Sequence, residues 1–210
     1  MGKYLLVLGV LASLAGWVRA DFVVMDPILE GARFYNVDAL KDVSSFTGDV
    51  GAQASGVLVT VDAISNVDTG NGYSTIKPAN SDDILTSLVF TPDDANLFDS
   101  FSFRGQLDSD AGGTVTLTVQ DNQGGFPETF TFTGLGANAD FARIGIIAVT
   151  GSGETIQSIT LTSVFKEEKQ NQFGYYPGGQ PYPPIPVPPA VWSGLGLLGL
   201  LGVRRAVRGA

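Results

Sequence analysis

From Thr114 to Val119 the chain alternates threonine with valine or leucine without a break, and glycine pairs close the run on both sides, Gly112-Gly113 before and Gly124-Gly125 after. A period of two sorts residues onto the two faces of an extended strand, whereas a helix would spread the same apolar residues around its circumference. This stretch is buried economically only as a strand with one dry and one wet face. The pattern recurs. Val57, Val59 and Val61 alternate with Leu58, Thr60 and Asp62, and Phe130–Thr133 and Ser158–Thr162 alternate in the same way. Further strands are predicted over Leu85–Thr91, Phe98–Arg104 and Arg143–Thr150; the last reads RIGIIAVT, apolar enough to predict burial on both faces. Turn chemistry separates the runs at Asp110-Ala111-Gly112-Gly113, Asp121–Gly125 and Gly151-Ser152-Gly153. Short strands at fairly regular spacing predict an all-β domain, an antiparallel β-sandwich or jelly roll. Helix is expected only as single turns near Val37–Lys41 and Pro92–Leu97.

Composition removes several function classes. The sequence has no cysteine and no histidine. Thiolate metal sites, thiol nucleophiles and Ser-His-Asp triads are thereby excluded, leaving carboxylates, tyrosine and lysine for any catalysis. Acidic residues number 21 against 12 basic ones, but five of the basic residues (Lys3, Arg19, Arg204, Arg205 and Arg208) sit at the two ends. The region between them holds seven basic against 21 acidic residues, a net of −14 that repels phosphate backbones and speaks against nucleic acid as a partner.

Both ends read as addresses. MGKYLLVLGVLASLAGWVRA places Lys3 before an apolar run, and Val18-Arg19-Ala20 supplies small or modest residues at the positions a signal peptidase inspects, the pattern of a secretory signal peptide helix cleaved between Ala20 and Asp21. At the other end, Gln170–Pro189 is rich in proline, glycine and tyrosine and reads as an extended spacer. Ala190–Val203 is apolar apart from Ser193, and Arg204, Arg205 and Arg208 follow as a cytoplasmic basic cluster behind a short transmembrane helix. Gly194, Gly196 and Gly199 in that helix satisfy G-x-G-x-x-G, yet prolines precede them where a Rossmann turn needs a strand, and no acidic residue follows to hold a ribose. Glycines in an apolar helix serve close helix approach instead.

Ile185-Pro186-Val187-Pro188, the following Pro189-Ala190-Val191-Trp192, the Gly/Leu helix and the arginine cluster together resemble the PEP-CTERM sorting signal. That tripartite tail is found on exported proteins of Gram-negative bacteria and is recognised by the membrane protease exosortase. The eponymous glutamate between the two prolines is replaced by Val187. The resemblance implies signal peptidase and exosortase as export partners, transient anchoring in the inner membrane, and delivery to the cell surface or extracellular matrix. The segments FDSFSFRGQL, GGTVTLTVQDNQGG, FTFTGLGANADFARIGIIAV and GSGETIQSITLT, followed by FKEEKQNQF, also resemble β-rich domains that accompany such tails. That likeness implies a jelly-roll-like module with no assigned reaction. The expected organisation is therefore a signal peptide over 1–20, a β-sandwich domain over 21–169, a spacer over 170–184 and a sorting signal over 185–210.

Candidate chemistry within the domain is sparse. Aspartates cluster at Asp68, Asp82-Asp83, Asp93-Asp94 and Asp108/Asp110, without the spacing of an EF-hand loop. NVDTGNG around Asp68 reads more simply as a turn. No resident cofactor is expected; calcium is the ion these clusters leave open. Glycosidase chemistry needs two facing carboxyls, and Glu30, Glu128, Glu154, Glu167 and Glu168 are the available glutamates. Glu167-Glu168 lie in the charged run KEEK, which reads as a solvated strand edge. Of the aromatic platforms a glycan would use, Trp192 belongs to the sorting helix, and Tyr175, Tyr176 and Tyr182 belong to the spacer. Tyr73 remains as the domain's one candidate. The expected role is a non-catalytic structural or adhesive surface protein, with exopolysaccharide as a partner. A calcium-dependent carbohydrate-binding module and, more distantly, a carboxylate-based polysaccharide hydrolase are the alternatives.

Overall fold

The computed structural model describes residues 22–26, 28–36, 38–80, 82–108, 113–135, 141–149 and 151–176. Among them the chain forms twelve strands and no helix, and every pairing is antiparallel. In order these are β1 (Phe22–Val24), β2 (Ala32–Asn36), β3 (Val43–Val50), β4 (Leu58–Thr69), β5 (Gly72–Tyr73), β6 (Thr75–Pro78), β7 (Leu85–Pro92), β8 (Phe98–Leu107), β9 (Gly113–Asp121), β10 (Glu128–Leu135), β11 (Ile144–Ala148) and β12 (Ile156–Tyr175).

The organising element is β12, twenty residues long. Its first half pairs with β9 on one side and β7 on the other, setting Leu161 opposite both Leu117 and Leu88. β10 extends this ladder beyond β9, while β4 and then β3 extend it beyond β7. The second half pairs with β8 on one side and with β6 and β2 on the other. β11 and then β1 continue beyond β8. The exchange of neighbours occurs at a register shift between Thr162 and Phe165, where Phe165 lies opposite both Leu85 and Leu107. An irregularity of this kind bends a strand and lets it serve two ladders.

The core is phenylalanine-rich. Phe90 of β7 packs against Phe101 of β8 at 5.3 Å and Phe173 of β12 at 6.4 Å between ring centroids. Phe34 of β2 meets Phe90 edge-on at 6.2 Å. These contacts join the two ladders, and each buried ring contributes roughly 1.5–3 kcal/mol through area removed from water. The wet faces carry threonine pairs, Thr118–Thr129 at 3.1 Å and Thr47–Thr60 at 3.3 Å.

Four expectations change. RIGIIAVT forms β11, but only Gly145 and Ile146 are buried; Ile144, Ile147 and Ala148 are half-buried, because three-residue β1 covers little beyond the edge. Pro92–Leu97 is not helical. β7 runs through Pro92, and Asp94 Oδ1 accepts the Asn96 N–H at 2.9 Å, drawing the backbone into a turn. Residues 38–41 are likewise pinned to β4, since the Thr69 hydroxyl donates to Asp38 O at 2.9 Å and accepts the Leu40 N–H at 3.0 Å. Finally, β12 continues to Tyr175, so residues 170–175 belong to the sheet and not to the spacer; Asn171, Gln172 and Phe173 are buried.

Candidate functional site

Tyr73 is delivered by the turn that NVDTGNG predicts. β4 ends at Thr69, Gly72 takes φ +91°, and Tyr73 follows on β5. That φ lies in the left-handed region, which glycine adopts without a Cβ penalty. The Asn36 side chain holds the turn by donating to Gly70 O at 2.9 Å and Thr75 O at 3.0 Å. Tyr73 then lies directly across from Tyr35 of β2, with ring centroids 6.1 Å apart. Along β2, Phe34 and Asn36 are buried while Arg33 is exposed and Tyr35 half-exposed, so Arg33 and Tyr35 share the outer face. The Arg33 guanidinium lies over the Tyr73 ring at 5.1 Å. Behind Tyr35, Gly48 allows β3 to approach closely; a Cβ there would collide with the Tyr35 carbonyl and the Phe34 ring.

The Tyr73 hydroxyl is locked from below. Gln170 adopts φ 56°, a left-handed conformation uncommon for a residue with a side chain. Its carbonyl accepts from Arg143 Nη1 at 2.6 Å and from the Tyr73 hydroxyl at 3.1 Å. Arg143 Nη2 and Gln172 Nε2 donate to the Tyr73 oxygen at 2.9 and 3.0 Å. Arg104 Nη1 reaches the Gln170 side-chain oxygen at 3.3 Å. Arg33, Arg104 and Arg143 are all the arginines between Arg19 and Arg204, and all three converge on this cluster.

One layer further in lies Glu168, with no solvent exposure. Its Oε2 accepts from Asn171 Nδ2 at 3.0 Å, and the same amide group donates to Ser74 Oγ at 2.7 Å. Glu168 Oε1 and Asn171 Oδ1 are buried without a hydrogen-bond partner among the described residues. Burial pushes the Glu168 carboxyl up to about 8, against the smaller opposing pulls of the Asn171 hydrogen bond and the Arg143 charge. Near neutral pH Glu168 is therefore an acid, not an anion. The reading of KEEK as a solvated edge is corrected here. Lys166 is exposed and Glu167 pairs with Lys169 at 3.5 Å, but Glu168 points into the interior because β12 is bonded on both sides.

The aspartates mostly serve the backbone. Asp68 accepts from Lys41 Nζ at 2.6 Å and the Asp42 N–H at 3.2 Å, and the lysine hydrogen bond holds its carboxyl below the usual range. Asp49 ties down the Ala54 and Gly56 amides, and Asp121 those of Gln123 and Gly125. Among the described residues no group of three or more carboxylates is placed to hold a metal ion. A polar cleft of about 670 Å³ is lined by Lys77, Asp82, Asp83, Asp108, Lys166 and Glu167, where the two ammonium groups offset part of the negative charge.

The other glutamates also have structural tasks. Glu128 caps β1 by accepting the Phe22 N–H at 3.3 Å, Glu30 accepts from Gln172 Nε2 at 3.3 Å, and Glu154 is buried in the turn before β12. Tyr175 packs on Phe98 at 5.1 Å, and the Tyr176 N–H donates to Leu97 O at 3.0 Å, so both dock on the domain. The signal cleavage pair Ala20 and Asp21, the motif Pro186, Val187 and Pro188, and Trp192, Gly194, Gly196, Gly199, Arg204 and Arg205 lie outside the described residues, as do Asp110 and Tyr182. Of the residues picked from sequence, Tyr73 is the one at the centre of a polar and aromatic cluster, which also holds Arg33, Tyr35, Arg143, Gln170 and Gln172. The available signal was the polar run KEEKQNQ between two apolar strand segments.

No family model matches the sequence, and no curated protein matches it. Among solved structures, the enzymatically active domain of bacteriophage CBA120 tailspike protein 4 aligns with a TM-score of 0.30 and 12% identity over 75% of this chain. The alignment spans 20% of that protein's chain.

Proposed function

We propose that this chain is an exported, non-catalytic structural or adhesive protein of the cell surface or biofilm matrix, processed by signal peptidase and then by an exosortase. The observation that carries the reading is the ordered tail: Pro186-Val187-Pro188, an apolar Gly/Leu segment with Trp192, then Arg204 and Arg205. Support comes from where the fold begins. Among the described residues the sheet begins with β1 at Phe22, downstream of the expected cleavage between Ala20 and Asp21. On this reading the two ladders joined by β12 face one another as a β-sandwich, with Phe34, Phe90, Phe101 and Phe173 between them. A fold with two hydrogen-bonded layers and a dry aromatic interior suits a protein that must persist outside the cell without disulfides.

The test is intact-mass measurement of the protein recovered from envelope and medium of an exosortase-bearing Gram-negative host. Loss of residues 1–20 and of a C-terminal fragment that includes the Trp192 helix is expected, and Arg204→Ala with Arg205→Ala should leave the tail in place. Recovery of the unprocessed chain from every fraction would overturn the proposal.

A further inference from the structure

We propose that the outer face of β2 and β5 is a binding platform for a carboxylate-bearing saccharide, a uronic acid residue, with Tyr35 and Tyr73 as the stacking surface and Arg33 as the carboxylate fork. The proposal rests on the surface-protein reading above for its choice of a glycan, but its geometry is independent of how the chain is exported.

Four observations converge. First, Arg33 is exposed, and apart from its contact with the Tyr73 ring it makes no ion pair or hydrogen bond among the described residues. Its five donors are unspent, and a planar guanidinium matches the two oxygens of a carboxylate. Second, the Tyr35 hydroxyl likewise has no partner among the described residues, and its half-exposed ring adjoins that of Tyr73. A pyranose presents an apolar face of C–H groups rimmed by hydroxyls, which fits an aromatic surface edged by the Tyr35 hydroxyl. Third, the platform is rigid. The Tyr73 oxygen is held by Gln170, Arg143 and Gln172, so its ring loses little freedom when a ligand stacks on it. Fourth, charge picks the spot: in a region of net −14, all three arginines gather here. The nearby Glu30 carboxylate is engaged by Gln172 Nε2 at 3.3 Å, and carboxylates beyond about 8 Å are largely screened at physiological salt. The exposed amide pair Gln53–Asn71 at 3.2 Å, two residues before Tyr73, offers donors and acceptors for sugar hydroxyls.

The proposal is tested by isothermal titration of the full chain in detergent with a short oligogalacturonate, a neutral galactose oligomer of equal length, and acetate. Saturable binding of the oligogalacturonate is expected, with the neutral oligomer and acetate each at least about tenfold weaker. Arg33→Gln and Tyr35→Ala should each weaken it about tenfold to a hundredfold, with Arg33→Lys intermediate and Lys166→Gln without effect. Because Arg33 is exposed, the melting temperature of Arg33→Gln should match the wild type, which separates lost binding from lost folding. Absence of saturable binding, equal binding of the neutral oligomer or of acetate, or full affinity in Arg33→Gln would each overturn it. None of those results bears on tail processing, which the intact masses decide separately.

Discussion

The two halves of β12 are the same strand solved in two ways. From Ile156 to Phe165 its inward positions are Ile156, Ile159, Leu161 and Phe165, all buried and apolar, with serine, threonine, glutamine and one exposed valine, Val164, outside. From Lys166 to Tyr175 the buried positions are Glu168, Asn171, Gln172 and Phe173. The first half gains stability from area removed from water, which is non-directional and tolerant of exchange. The second relies on specific partners for its polar groups, and most of those lie far away in sequence: Ser74, Tyr73, Arg143 and Glu30. An apolar position accepts another apolar side chain of similar volume, whereas a buried polar one depends on particular partners. The candidate platform on β2 and β5 is thus held by the half of β12 that depends on particular partners.

The contrast can be broken at several points. The largest effect is expected from Phe173→Ala, because Phe173 is the apolar anchor of the polar half and touches Phe34, Phe98, Phe90 and Phe101. A loss of about 3–5 kcal/mol in urea unfolding is expected; a loss smaller than that of Leu161→Ala would mean the polar network alone holds this half. Arg143→Ala should cost about 2–4 kcal/mol in the same assay, since it strips a charged donor from Gln170 O and the Tyr73 oxygen together. It should also raise the Glu168 carboxyl further, because the Arg143 charge is one of the influences holding it down.

Glu168→Gln sharpens the comparison through pH. The folded carboxyl titrates near about 8 against an ordinary value of 4.5, so the folded state keeps a proton that the unfolded chain releases. Wild-type stability is therefore full below the ordinary value, falls as pH rises through that window, and levels off above the folded value. The limiting slope is about 1.4 kcal/mol per pH unit, part of which relaxation and water penetration return. Glutamine mimics the neutral acid, so the variant should show a flatter profile, with only the other shifted carboxyls such as Asp99 left to titrate, and a gain on the order of 2 kcal/mol at about pH 9, measured by denaturant unfolding across pH. A parallel pair of profiles would show that Glu168 is not buried as an acid. The smallest effect is expected from Thr160→Val on the outer face of the apolar half, within about 0.5 kcal/mol; a larger loss would mean that this half, too, depends on specific polar contacts.

The same contrast governs how far the sequence could be read. Val115, Leu117 and Val119, and Val59 and Val61, are buried where alternation puts them, and their threonine neighbours are wetter. Such patterns are local and need no knowledge of partners. KEEKQNQ misleads for the opposite reason. Charge predicts solvent, and nothing nearby in sequence reveals that Ser74 and Arg143 wait across the sheet. Tyr73 was legible because a turn signal precedes it and few rings compete with it. Tyr35, Arg33 and Arg143 were not, since their meeting depends on the register of β2 against β5 and on the left-handed turn at Gln170. The turn near Pro92–Leu97 was misread as helical because proline before two aspartates opens helices and Asx turns alike.

The length of β12 also has a mechanical meaning. A force applied at Tyr175 would act on the last residue of a strand bonded to five others: β2, β6, β7, β8 and β9. Extracting it along its axis would require many backbone hydrogen bonds to shear together, whereas peeling a three-residue edge strand such as β1 would break them one at a time. A load on β12 is thus shared across both ladders before any single pair gives way.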